Sequence, residues 1–164
     1  MPHQVIKATV KGSKGDLAKI TTALKNITGP NGEKVNILHM GGGESSVVNG
    51  IELGVITMIL EPDEPPMEGL ILNAIRTVDL GNGRHVEHVD KFPNVHISLL
   101  DAPGTLNAAL DAVDAANVNI LSVLTMGSAG GVSNVGLGFA DEAQADAART
   151  ALAKANVIIH PSDD

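Results

Sequence analysis

The chain has 164 residues, of which 43% are hydrophobic and 18% charged, a composition typical of a folded globular protein. Its net charge of −8 and its two aromatic residues, Phe92 and Phe139, argue against a nucleic-acid surface, which needs cations for phosphates and flat rings for bases. Because cysteine is absent, disulfides, thiolate metal sites and a thiol nucleophile are excluded. No apolar run approaches the roughly 20 residues that span a bilayer, and no signal-peptide pattern opens the chain, so we expect a soluble cytoplasmic protein.

The first half of the chain predicts the element order β-α-β-β-α-β. Apolar and β-branched runs indicate four strands, at residues 5–10, 35–40, 51–60 and 85–90. Apolar residues at helical spacing indicate two helices, one along 17–27 and one that begins at Pro66. The glycine-rich segment 11–15 should connect the first strand to the first helix. Gly41–Gly43 should begin the hairpin between the second and third strands.

The second half predicts the same order again. Strands are indicated at residues 95–100, 118–126, 132–140 and 156–160. A helix should follow the turn Asp101–Gly104, and a second helix should follow Asp141, which has capping-box spacing with Gln144. The glycine-containing segment 127–131 should be the turn between the two central strands.

Matched strings indicate that the two halves are copies of one unit. Val35–Leu38 recurs as Val118–Leu121, and Gly15–Leu17 corresponds to Gly104–Leu106. The sequence therefore predicts an α+β protein with domains at 1–91 and 92–164. Each domain should be a ferredoxin-like βαββαβ unit, with an antiparallel sheet and its helices on one face. Units this small are marginal alone, so we expect them to pack on each other, on a second chain or on both.

The second half carries a motif that can be compared with a known family. A strand is followed by Asp101-Ala102-Pro103-Gly104-Thr105-Leu106, then by a helix and by Asn119-Ile120. This order resembles the ACT domain family, whose members show a strand, Asp-x-Pro-Gly-x-Leu, a helix and an apolar strand that begins near Asn-Ile. The resemblance covers essentially all of the second copy. It extends to the first copy with weaker motifs, because Gly12–Leu17 lacks the Asp-x-Pro element.

The resemblance implies a regulatory module that binds amino acids or other small metabolites, usually where two such domains meet. The implied ligand positions of the second copy are Asp101, Pro103, Gly104, Thr105, Leu106, Asn119 and Ile120. Those of the first copy are Gly12, Gly15, Asp16, Leu17 and Asn36. The first turn of a helix has unpaired N–H groups that suit a carboxylate, and glycine admits a ligand to that backbone. Asparagine offers both a donor and an acceptor to a zwitterion.

Each of these residues can also serve the fold alone. We expect Asp101 to cap its own helix, because aspartate is a preferred N-cap. Pro103 and Gly104 can serve only to shape the turn. Asn119 could equally close an Asx-turn at the entry to a strand. Lys11 and Lys14, which would attract an anion to the first copy, are expected to be solvated.

Other residue combinations favour neither catalysis nor a cofactor. His85 and His88 would point to opposite faces of a strand, so they could not share a metal ion there. The glycine clusters at 41–43 and 127–131 do not open a helix and carry no Walker lysine, which favours hairpin turns over phosphate sites. No serine lies in a nucleophile motif, and no carboxylates pair as acid and base. We therefore expect no metal, no cofactor and no enzymatic activity.

These observations predict a regulatory protein that binds an amino acid or a similar small polar metabolite. It should signal through its oligomeric state, most simply as a homodimer, or through a regulated protein partner. The alternative is an assembly module without a ligand, which would associate through exposed sheet edges. A PII-like nitrogen regulator fits less well, because such chains carry one copy of the unit with a long loop. Neither a nucleic acid nor a membrane is expected as a direct partner.

Overall fold

The computed structural model of the chain describes residues 4–11 and 15–160. Its contacts divide the chain into two compact units. Unit one comprises Ile6–Lys91, and unit two begins at Phe92 and includes Gln4 and Val5 from the start of the chain. Each unit has its own buried apolar core.

Unit one is built on the predicted pattern. Its elements are β1 Gln4–Lys11, α1 Asp16–Lys25, β2 Asn36–Val48, β3 Ile51–Glu61, α2 Met67–Thr77 and the first part of β4 His88–Leu100. The strand order is β2-β3-β1-β4, the split β-α-β arrangement. The helices bury one apolar stripe each against the strands, so a single core contains Ile20, Leu24, Ile71 and Ile75 together with Met58.

The hairpin of unit one differs from the prediction. Gly41–Gly43 do not begin a turn but lie inside β2, where the pairing with β3 shifts by a bulge between Gly42 and Glu44. The turn is at Asn49-Gly50, with φ of 53° and 77°. Two successive residues with positive φ suit the right-handed twist of a hairpin, and Asn-Gly is the pair that adopts them most easily. Three glycines are therefore a weaker turn signal here than one Asn-Gly pair.

Unit two repeats the architecture with a shorter hairpin. After the second part of β4 come α3 Thr105–Ala115, β5 Ser122–Ala129, β6 Val132–Gly138, α4 Glu142–Lys154 and β7 Ile158–Ile159. The strand order is β5-β6-β4, with β7 paired to the other side of β4. The core is filled by Phe139 and Leu152 and by helix alanines such as Ala109, Ala145 and Ala148. The side chain of Asp141 accepts a hydrogen bond from the Gln144 N–H at 2.8 Å, which confirms the predicted cap.

Three predicted strand boundaries were wrong. The strands expected at 85–90 and 95–100 form one continuous strand, β4, which begins at His88. Strand β5 begins at Ser122, so Asn119 and Ile120 precede the strand and do not start it. Strand pairing also extends to Ala129, which leaves only Gly130 and Gly131 as the turn. In each case the strand begins or ends where its pairing with a neighbouring strand does. The local sequence pattern does not show that pairing.

Candidate ligand-binding loops

The turn that begins the first helix has the same backbone conformation in both units. Gly15 precedes α1 with φ 87° and ψ −4°, and Gly104 precedes α3 with φ 86° and ψ −11°. This left-handed conformation favours glycine, because a Cβ would clash with the backbone. A Cβ at either glycine would meet no other atom within 4 Å. Both turns therefore open onto free space, and a ligand could approach the backbone there.

In unit two the loop is held by its own backbone and by one hydroxyl. The Thr105 hydroxyl donates to the Leu100 carbonyl at 2.7 Å and lies 3.0 Å from the Ala102 carbonyl. The N–H of Asp101 donates to the Gly131 carbonyl at 2.8 Å, while its side chain is exposed. The N-cap of α3 is Gly104, without any side-chain cap, so the prediction that Asp101 caps this helix was wrong. Pro103 and Leu106 are also exposed in this loop, beside Asp101.

Asn119 and Ile120 lie at the other end of unit two from this loop. Leu100, which precedes the loop, pairs with Val132 at one end of β6, whereas Ser122 pairs with Gly138 at the other end. Six residue steps along β6 correspond to roughly 20 Å. Asn119 is exposed, and its side chain forms no hydrogen bond among the described residues, so no Asx-turn is present there. One small ligand cannot contact both positions within this unit.

In unit one, Asp16 has a structural partner that occupies its carboxylate. Asp16 is 3% exposed, and its two oxygens accept hydrogen bonds from Arg84 at 2.9 and 3.2 Å. Arg84 also donates to the carbonyls of Lys11 and Leu80, at 2.9 and 3.0 Å. The carboxylate accepts the charge-assisted bonds and thereby raises the pKa of Arg84. Asp16 thus ties the end of β1 to the turn that precedes β4, which accounts for its burial without a ligand.

Two further ligand positions predicted for unit one, Leu17 and Asn36, are described by the structure. Leu17 is 44% exposed on the first turn of α1. Asn36 begins β2 and donates to a Glu61 carboxylate oxygen at 2.7 Å, so its side chain already has a partner. Gly12 and Lys14 lie outside the described residues. Lys11 forms an exposed ion pair with Glu87 at 3.5 Å.

Sequence reasoning missed Arg84, because Asp16 is 68 positions away along the chain. A lone arginine between Gly83 and His85 has no periodic or motif signal. Its position beside a turn formed by Gly81 and Gly83, both with positive φ, was the only local indication that it could fold back toward α1.

The face of unit two's sheet opposite its helices carries one hydroxyl–imidazole pair. The Ser98 Oγ lies 2.5 Å from His160 Nε2 and 2.8 Å from Asn134 Oδ1. A hydroxyl has one proton, and here it is donated to the Asn134 Oδ1. His160 also stacks on His96, with ring centroids 4.2 Å apart. The Ser98 proton is thus directed to an amide oxygen and not to an imidazole base, as an activated nucleophile would need.

The two histidines considered as metal ligands lie in different local structures. His85 precedes β4, so the argument that both residues share one strand was wrong, and its Nδ1 lies 2.9 Å from the Val78 carbonyl oxygen. His88 contacts Asp90 at 2.8 Å. Within the described ranges, no three His, Asp or Glu side chains come close enough together to hold a metal ion. Across the same ranges, no helix has the length and apolarity needed to cross a bilayer.

The chain is similar in fold to solved structures over nearly its whole length. A protein from Bacteroides thetaiotaomicron is 19% identical with a TM-score of 0.66, and the match covers 98% of this chain and 92% of that one. The regulatory subunit of aspartate kinase from Thermus thermophilus, in a ligand-free form, is 19% identical with a TM-score of 0.62 and coverage of 94% and 93%. The corresponding subunit from Thermus flavus is 17% identical, with a TM-score of 0.61 and coverage of 95% and 94%.

These neighbours confirm the resemblance to ACT-domain proteins at the level of the fold, and they confirm the α+β class with two ferredoxin-like units. No family model matches the sequence, and no curated protein does. At 17–19% identity, the similarity to these structures is one of fold.

Proposed function

We propose that this protein is a regulatory module that binds an amino acid or a similar small polar metabolite at its helix-start loops. The observation that carries the proposal is the left-handed glycine repeated at Gly15 and Gly104, each facing free space. The tandem fold shared with aspartate kinase regulatory subunits gives this loop a regulatory context. The output would be a change in oligomeric state or in contacts with a regulated protein.

The loop of unit two has the chemistry to hold a zwitterion. The N–H groups of Leu106 and Asn107, on the first turn of α3, have no acceptor among the described residues. They and the positive end of the helix dipole suit a carboxylate. The Asp101 carboxylate is exposed on the same loop and can accept from an ammonium group. In unit one the residue at the position of Thr105 is Asp16, whose carboxylate is already bound to Arg84, so unit two is the better candidate.

The distance between the Gly104 loop and Asn119 bears on the oligomeric state. A ligand that uses both positions needs the second one from outside the same unit, because roughly 20 Å separates them within it. We propose that a second chain supplies it, so that binding and dimer formation are coupled. Ligand and partner chain would then stabilise each other by mass action.

A thermal-shift panel of the twenty amino acids tests this proposal. A ligand at a hundred times its Kd should add about 2.7 kcal/mol to the free energy of unfolding. Asp101→Ala should abolish the shift without lowering the melting temperature of the free protein, because its side chain makes no cap. Asp114→Ala, an exposed aspartate on α3, is the matched control and should keep the shift. A panel without any shift would rule out amino-acid sensing.

The second candidate is an assembly module without a ligand, and the edge of β5 favours it. Within the described residues, β5 pairs on one side only, with β6; Val123 is exposed on this strand and Leu121 is exposed just before it. Exposed apolar residues on a free edge promote pairing with another chain. Val123→Lys should then convert an oligomer to monomer in sedimentation velocity. An oligomer that persists in this variant and tightens when an amino acid is added would support the ligand-binding proposal instead.

A further inference from the structure

Unit one contains three Asn-Gly pairs, and each of them lies in a turn outside the helices and strands. They are Asn31-Gly32, Asn49-Gly50 and Asn82-Gly83. In such a pair the side-chain amide is easily attacked by the next backbone nitrogen, because glycine has no Cβ to shield that nitrogen. The three pairs have the same local chemistry, so their surroundings decide whether this reaction takes place.

Space and exposure do not distinguish the three pairs. All six residues are exposed to solvent. The glycines Gly32, Gly50 and Gly83 have positive φ, at 85°, 77° and 72°. A Cβ added to any of these glycines would meet nothing within 4 Å. Water and a base in solution can therefore reach all three pairs equally well.

Asn31-Gly32 is held by hydrogen bonds on both of the groups that would react. The Asn31 side-chain amide donates to Glu33 Oε1 at 3.1 Å, and the Gly32 N–H donates to the Gly29 carbonyl at 3.0 Å. The Glu33 carboxylate also accepts from the Asn31 N–H at 2.8 Å, so a negative charge lies beside the pair. A nitrogen that must become an anion before it attacks is disfavoured next to that charge.

The other two pairs have neither restraint. Throughout the part of the chain that the structure describes, the side chains of Asn49 and Asn82 form no hydrogen bond. The N–H groups of Gly50 and Gly83 have no acceptor there either. Both amides can therefore turn toward the next nitrogen without the loss of a hydrogen bond.

We propose that Asn49-Gly50 and Asn82-Gly83 are sites of spontaneous deamidation, whereas Asn31-Gly32 is protected in the folded protein. The glycine nitrogen gives its proton to a base in solution and bonds to the side-chain carbonyl carbon of the asparagine. The C–N bond of the side-chain amide breaks, and ammonia leaves with a proton taken from water. The cyclic imide that remains adds one water molecule. It opens at either carbonyl, to aspartate or to isoaspartate, whose backbone runs through the side chain.

Modification at Asn49 would alter the hairpin of unit one. Isoaspartate adds a carboxylate and an extra backbone carbon to the turn. Asn49-Gly50 joins Val48 to Ile51, which are paired across β2 and β3. Because loop length fixes the register of a hairpin, the pairing at its tip should be lost first.

Modification at Asn82 would reach the ion pair of unit one. The Arg84 N–H closes this turn by donating to the Gly81 carbonyl at 2.9 Å, and the Arg84 guanidinium holds Asp16. A longer turn would move Arg84 away from Asp16. Urea denaturation of aged protein should therefore show a lower midpoint than that of Asn82→Gly, which tolerates the positive φ and cannot react. These sites lie outside both helix-start loops and do not depend on the function proposed for them.

The test is peptide mapping by mass spectrometry of the full-length protein during incubation at mildly alkaline pH. Asn49 and Asn82 should convert about tenfold faster than Asn31, since two hydrogen bonds of ordinary net strength correspond to about that factor in rate. The protein unfolded in urea is the control, and there all three pairs should react at similar rates. Equal rates in the folded protein would overturn the proposal, and so would conversion confined to the unfolded chain.

A variant of Glu33 tests why Asn31 is protected. Glu33→Ala removes the acceptor of the Asn31 amide and should raise the rate at Asn31 several-fold, with the rates at Asn49 and Asn82 unchanged. Glu142→Ala, which removes an exposed glutamate from unit two, should leave all three rates unchanged. An unaltered rate at Asn31 in Glu33→Ala, or a rise at all three pairs, would contradict local protection by Glu33.

Discussion

In both units the first helix begins with the same backbone conformation, but different side chains bind the end of the strand that leads into it. Gly15 and Gly104 have nearly the same φ, 87° and 86°. The carbonyl at the end of the preceding strand, however, is bound by Arg84 in unit one and by Thr105 in unit two. Arg84 is held by the buried Asp16, whereas the Thr105 hydroxyl belongs to the loop itself.

The two units therefore share the left-handed turn and differ in the group that binds the strand-end carbonyl. The left-handed turn is shared by the starts of α1 and α3 and is absent at the starts of α2 and α4, whose N-cap residues Pro66 and Asp141 have φ of −84° and −153°. The group that binds the strand-end carbonyl can vary, because any donor at the right place satisfies it. Unit one uses a long-range ion pair, in which the Asp16 carboxylate is already bonded to Arg84. Unit two uses a local hydroxyl and leaves the Asp101 carboxylate exposed.

The largest expected effect is on the ion pair of unit one. Asp16→Asn should lower the free energy of unfolding by about 2–3 kcal/mol, because amide N–H groups would face the donors of Arg84 in a buried place. Urea denaturation followed by circular dichroism measures it. Asp146→Asn removes an exposed carboxylate paired with Arg149 and should cost little. Equal costs for the two variants would show that the Asp16 pair is not a main support of unit one.

Substitution of Gly15 and of Gly104 should lower the free energy of unfolding by similar amounts. Gly15→Ala and Gly104→Ala should each cost about 1–2 kcal/mol, because the left-handed conformation strains any residue with a Cβ. Gly69→Ala is the control, since Gly69 lies inside α2 and an added Cβ there would meet nothing within 4 Å outside its own helix backbone; it should stabilise the protein by about 0.5–1 kcal/mol. Clearly unequal costs at the two turns would contradict their structural equivalence.

Removal of the Thr105 hydroxyl in unit two should lower the free energy of unfolding less than removal of the Asp16 carboxylate in unit one. Thr105→Val deletes the donor to the Leu100 carbonyl and should cost about 1 kcal/mol, because that carbonyl is near the surface and water can replace the hydroxyl. A cost as large as that of Asp16→Asn would show that the two ways of binding the strand end are energetically equal.

The smallest expected effect is a pH dependence that belongs to unit one alone. In the loop 28–33, which unit two lacks, the Glu33 carboxylate accepts from the backbone and side-chain N–H groups of Asn31, at 2.8 and 3.1 Å. Backbone hydrogen bonds lower the pKa of Glu33 below its ordinary value of 4.5. The stabilisation is therefore complete above that ordinary value and is lost as the pH falls through the lower pKa of the folded state.

The Asn31 amide resonance should report this change in an NMR titration to low pH. In Glu33→Gln the resonance should no longer titrate in this range. A midpoint at or above the ordinary glutamate pKa would contradict the hydrogen-bonding account of this loop.

Most of the fold could be predicted from local patterns. The repeat, the four helices, the Asp141 cap and the glycines at the helix starts were recognised, because each depends on residues within a few positions of one another. The hairpin of unit one was misplaced although Asn49-Gly50 carried the stronger signal, since Gly41–Gly43 drew the turn too early. The candidate site was predicted less well. Its residues were chosen because they match a family motif, and the motif does not say which of them lie close together in space.

The sequence by itself determined the order of the elements and the positions where the backbone must be left-handed, because the spacing of apolar residues and the absence of a Cβ act locally. Only the tertiary structure decided which side chains meet. It paired Asp16 with Arg84 across 68 positions and placed Asn119 at the opposite end of unit two from Gly104. It also brought Lys19 and Asp79 to the two sides of one peptide group. Strand order and register, which arise from packing the whole chain, set these distances.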